Sequence, residues 1–76
     1  MKLTPIAANQ NEVELTNGTQ IFFSYRTPVA AYLPSEGYVR TSKFWSVTTS
    51  RHINKWLKNV TNVTEIDQSV LDNLAA

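Results

Sequence analysis

Cysteine is absent from this 76-residue chain, histidine occurs once and glycine twice. Without cysteine there is no disulfide framework and no thiolate metal site, and a single histidine cannot build a His-rich one. Gly18 and Gly37 both fall in turn-like stretches. No G-x-G-x-x-G and no phosphate loop can be assembled from them. No apolar run approaches the roughly 18 residues that a membrane-spanning helix needs. The opening Met1-Lys2-Leu3-Thr4-Pro5 lacks the apolar core of a signal peptide. The Asn-x-Thr sequons at Asn17, Asn59 and Asn62 therefore read as chance, and the expected location is the cytoplasm. Neither a cofactor nor a metal is expected.

The chain does carry aromatic mass: Phe22, Phe23, Tyr25, Tyr32, Tyr38, Phe44, Trp45 and Trp56. A chain of this length sits near the lower limit for folding on one hydrophobic core. It is expected to form a single small domain over residues 1–76, held by its aromatics or by self-association into a homo-oligomer.

Strand signals come first. Glu12–Thr16 alternate polar and apolar, Asn17-Gly18 marks a turn, and Thr19–Tyr25 is β-prone. A two-residue loop would pair Thr16 with Thr19 and set Val13 opposite Phe22. A three-residue loop pairs Leu15 with Thr19 and Val13 with Ile21, so that Val13, Leu15, Ile21, Phe23 and Tyr25 share one face. A slip of one residue turns every side chain over. The three-residue loop, with Gly18 at a left-handed bulge position, keeps the apolar set together and is preferred. Phe22 and Tyr32 would then lie opposite the main face, as an exposed apolar patch for a partner. Residues 29–33 and 38–41 resume β character on either side of the turn Pro34–Gly37.

Helix signals follow. Ile53, Trp56, Leu57 and Val60 form one apolar stripe at i, i+3, i+4 and i+7. A helix is predicted over about 47–59, capped by Thr48 or Ser46, with Trp56 buried against the sheet and Phe44 and Trp45 wedged between sheet and helix. Asn59–Thr64 reads as a connector. A second helix is predicted over about 67–75, with Asp67 as N-cap and an Ile66–Leu71 hydrophobic staple. The fold class is α+β: an antiparallel β-meander of three to five strands over about 12–41, followed by two short helices packed on it.

Chemistry is sparse. Ser46 and Ser50 are near His52 in sequence, but their helical positions point away from it. His52 reads as a boundary histidine, Glu12 and Glu14 as solvated strand residues, and Asp67 as a cap. No catalytic residue and no small-molecule ligand are assigned. Charge is more informative. Residues 1–25 sum to −1, residues 26–58 to +5 and residues 59–76 to −3. Arg51, Lys55 and Lys58 recur at i, i+4 and i+7 opposite the apolar stripe, and Lys43 extends them. These four are the candidate binding residues, for phosphate or for an acidic protein. The plainer reading is a solvated helix face. Whether the acidic tail covers the stripe, and whether Phe22 is exposed, separate the alternatives.

The segments Phe23-Ser24-Tyr25-Arg26-Thr27-Pro28-Val29-Ala30 and Trp45-Ser46-Val47-Thr48-Thr49-Ser50-Arg51-His52-Ile53-Asn54-Lys55-Trp56-Leu57 resemble a family of small uncharacterised proteins encoded by bacteriophages, including marine cyanophages. The resemblance covers about residues 10–58 and carries no site residues. It implies a viral accessory protein acting in the host cytoplasm, and the function expected is non-enzymatic binding of a host or phage protein. The alternative is a small nucleic-acid-binding protein that uses the basic helix face.

Overall fold

A computed structural model describes residues 2–76. The elements run β1 (Lys2–Ala7), β2 (Gln10–Glu14), β3 (Gln20–Ser24), β4 (Thr27–Leu33), β5 (Gly37–Thr41), α1 (Val47–Trp56), β6 (Val63–Ile66) and α2 (Gln68–Ala75). They form an α+β protein with one six-stranded sheet in sequence order. The first five strands pair antiparallel, and β6 pairs parallel to β5. The sheet is therefore mixed and larger than the expected three to five antiparallel strands. A parallel neighbour needs a crossover, and α1 supplies it. Val63 and Thr64, expected in a connector, belong to β6. The other added strand, β1, contains Pro5, which an edge strand tolerates because its outer side needs no N–H donor.

The β2–β3 hairpin follows the three-residue register. Val13 pairs with Ile21 and Glu14 with Gln20. The Leu15 amide donates to the Thr19 carbonyl at 2.8 Å. Gly18 has φ +91°, the left-handed backbone that favours glycine.

Both faces of the sheet receive a helix. On one side Ile53 and Leu57 of α1 pack on Phe22, Val29 and Ala30, with Trp56, Tyr38, Val60 and Val63 around them. Val29 joins this side because the β3–β4 register slips beside it, from Phe22↔Ala30 to Phe23↔Pro28. On the other side Leu71 of α2 packs on Ala31 and Val39, flanked by Leu33, Ile66 and Leu74. The presence of Ile66 beside Leu71 is what the predicted staple requires.

This arrangement corrects the expected location of the core. Phe22 is not an exposed patch. It is 0% exposed, and Trp56 stacks on it with ring centroids 5.2 Å apart. Tyr32 is half-buried against Tyr38. Trp56 is half-buried, and its indole N–H donates to Glu12 Oε1 at 2.9 Å. Phe44 and Trp45 do not wedge under α1, since both are exposed.

Candidate functional site

α1 begins one residue after Ser46, which is the N-cap: its Oγ accepts from the Thr49 amide at 3.1 Å. Starting the helix at Val47 fixes its orientation. Thr49, Ile53 and Leu57 turn inward, while Val47, Arg51, Lys55 and Lys58 stay exposed, Lys58 in the turn that follows the helix. The sequence reading thus located the stripe. Arg40 lies on the α1 side of the sheet and donates from Nη1 to Asn54 Oδ1 at 3.3 Å.

Lys43 is exposed in the β5–α1 loop with its Nζ 4.0 Å from the centroid of the Trp45 ring, a cation–π contact. Beside this pair, Phe44 is 70% exposed and Val47 61%. Trp45, 39% exposed, is held at its indole N–H, which donates to Gln68 Oε1 at 3.1 Å. Gln68 in turn donates from Nε2 to the Pro28 carbonyl at 2.8 Å and to Asp72 Oδ1 at 3.0 Å. Along the chain, an exposed aromatic loop tied to α2 leads through Val47 into the basic face of α1. The basic half was legible from the 3.6-residue period. The aromatic half was missed because large aromatics are by default assigned to the core. A signal was available: with Ser46 as N-cap, Trp45 is N′ and Ser50 is N4, so Trp45 has no apolar staple partner.

His52 also has a partner the sequence could not reveal. Its Nδ1 lies 2.8 Å from Ser24 Oγ on β3, and Ser24 Oγ lies 3.1 Å from Thr49 Oγ1. With Nδ1 unprotonated, Ser24 donates to it and accepts from Thr49; with Nδ1 protonated, His52 donates to Ser24, and either hydroxyl can donate to the other. A serine beside a histidine invites a nucleophile reading. Ser24 is only 2% exposed, however, so a substrate cannot reach its oxygen. The group acts as a clasp that satisfies buried hydroxyls where α1 crosses β3. Tyr25 tilts over His52, with ring centroids 5.8 Å apart. Its φ of +59° is unusual for a bulky residue. Among the described residues, no three His, Asp or Glu side chains gather as metal ligands, and no helix is long and apolar enough to cross a membrane.

The molecule is thus a small mixed-sheet α+β protein with a helix on each face, a basic outer side on α1 and an exposed aromatic loop before it that is tied to α2. A family model matches residues 1–73, and the chain belongs to that family, the family of unknown function DUF8033. The match extends well beyond residues 10–58, where the resemblance to an uncharacterised family was carried by two segments. No curated protein and no solved structure matches the chain.

Proposed function

We propose that the protein is a non-enzymatic binding protein and that its partner is a nucleic acid held on the outer face of α1. The observation that carries this reading is that the basic stripe has no acidic cover. Asp67 and Asp72 cap and line α2, which packs on the opposite face of the sheet from α1. Of the acids on the α1 side, Glu12 alone has a side-chain hydrogen bond among the described residues, and Glu36 lines a hollow with Asn59 and Val60, just after Lys58 in the chain. Glu12 accepts from Trp56, Glu14 stands opposite Lys2, and Glu65 stands opposite Arg40. Arg51, Lys55 and Lys58 stay exposed along the outer side of α1, whereas Lys43 sits over Trp45, whose indole is tied through Gln68 to Asp72 of α2.

Three of those four cations are lysines. Lysine is depleted at protein–protein interfaces, whereas it serves phosphate backbones well as a point charge. Phe22, the anchor expected for a protein partner, is in the core. A second reading, a host or viral protein or a second copy of the chain, is favoured by another feature. Leu3, Val13, Phe23 and Tyr25, with Asn11 and Arg26, line an open hollow of about 320 Å³. Resemblance to phage-encoded proteins would set either partner in the cytoplasm of an infected cell.

The test is fluorescence anisotropy with labelled DNA and RNA. Neutralising about three phosphates should make affinity fall roughly 20- to 40-fold between about 50 and 200 mM salt. Replacing Arg51, Lys55 and Lys58 together with Gln should abolish binding and leave the fold intact, because Gln is a good helix former and the apolar face is untouched. Absence of binding at low salt, or binding that survives the triple substitution, would overturn the assignment.

A further inference from the structure

We infer that the nucleic acid is single-stranded and that Phe44 is the platform on which one of its bases stacks. This inference rests on the nucleic-acid reading of the basic stripe and adds the class of strand. Three aromatics serve the core under α1, where Phe22, Trp56 and Tyr38 pack against one another. Tyr25, Trp45 and Phe44 are exposed instead, and Phe44 the most, with 70% of its surface in solvent. It stands between Lys43 and Trp45, in the loop that leads directly into the basic helix face.

The surroundings of Phe44 are built to stay in place. Trp45 is anchored through Gln68 to the Pro28 carbonyl of β4, so the neighbouring indole is fixed to the sheet. The Lys43 ammonium sits over the Trp45 ring at 4.0 Å, which holds a positive charge on that indole, within the same loop as Phe44. Val47, one helical turn before Arg51, extends the apolar ground toward the stripe. An aromatic face next to a row of cations matches the two needs of an unpaired strand: a surface for the base and a track for the phosphates. A duplex keeps its base faces stacked inside, so Phe44 would meet backbone and base edges there, with no open base face to stack on.

The experiment compares a labelled oligothymidylate, an oligouridylate, a DNA duplex of the same length and polyglutamate, each titrated with the wild-type chain, with Phe44→Ala and with the Arg51/Lys55/Lys58→Gln variant. Phe44 is exposed, so Phe44→Ala should melt with the wild type, and a matched thermal melt verifies this. The expected result is single strands bound at least ~10-fold tighter than duplex, with Phe44→Ala weakening them ~5- to ~100-fold and leaving the residual duplex affinity unchanged. Quenching of Trp45 fluorescence by the single strand, at the same midpoint, supports the same conclusion. Equal affinity for duplex and single strand, unaltered by Phe44→Ala but lost in the triple variant, overturns the inference and leaves the nucleic-acid reading standing. No binding of any nucleic acid overturns both. Polyglutamate bound as tightly as oligothymidylate also overturns both, since the surface would then select charge alone.

Discussion

Phe22 and Phe23 are neighbours in β3, yet they lie in different environments. α1 closes over Phe22 with Ile53, Leu57 and a stacked Trp56. Phe23 points to the opposite face, where α2 packs on β4 and Ile21 is buried, but where Phe23 itself lines an open hollow with Leu3 and Val13. There Phe23 is half-buried and Leu3, on the same face, is 63% exposed. The two helices differ in reach. α1 is the crossover between β5 and β6 and carries a stripe of three large side chains across the sheet. α2 begins one residue after β6 and contributes one fully buried side chain, Leu71. Which face of a strand becomes core is thus decided by what the following helices cover, not by the hydrophobicity of the strand alone.

The largest expected effect tests that contrast directly. Phe22→Ala should cost about 3–5 kcal/mol, a large share of the stability of a domain this small. Phe23→Ala should cost less than about half as much, because part of its surface is already in water. Urea unfolding of the two variants, with unchanged slopes, measures both. Equal losses would mean that the hollow lined by Phe23 is covered in solution, by a second copy or by another partner.

The same pair of residues marks what the sequence could and could not disclose. The hairpin register was legible because a three-residue loop ending in Gly18 fixes which residues share a face, and Val13 does pair with Ile21. The identity of the packed face was not legible. Ile21, Phe22 and Phe23 are consecutive and apolar, so period-2 alternation gives no direction there. β6 was hidden for a different reason: a parallel edge strand depends on where the crossover returns, and no local signal records that. β1 was masked by Pro5. At the candidate site, the periodicity of Arg51, Lys55 and Lys58 survived into the structure, whereas the exposure of Phe44 and Trp45 depended on the position of the cap.

That cap supplies a smaller test. Ser46→Ala removes the acceptor for the Thr49 amide and should cost about 1 kcal/mol, while Thr48→Ala, at an exposed position inside the helix, should be near neutral. Thermal melts of the two variants decide between the candidates that the sequence left open. A larger loss from Thr48→Ala would move the start of α1 and rotate the basic stripe with it.

The smallest effect separates the caps of the two helices by pH. Ser46 is uncharged, but the α2 cap is Asp67, whose carboxylate accepts from the Ser69 hydroxyl and from the Ser69 amide. The Ser69 hydroxyl first, then its amide and that of Gln68, hold the Asp67 carboxyl below the ordinary aspartate value, against a small opposing effect of desolvation. A carboxyl whose pKa is lowered by folding stabilises the folded state above its unfolded pKa. That contribution is lost as pH falls through the lower, folded value. Acid should therefore fray the first turn of α2 while the Ser46 cap of α1 is unaffected. An NMR titration of the Ser69 amide should show a midpoint below the usual aspartate range. Ser69→Ala should move the Asp67 midpoint upward by removing the principal cause. Asp67→Asn, which keeps a good N-cap without a titrating group, should remove the transition. A Ser69 midpoint at or above the ordinary value, or one that persists in Asp67→Asn, would show that the two caps do not differ in the way their hydrogen bonds imply.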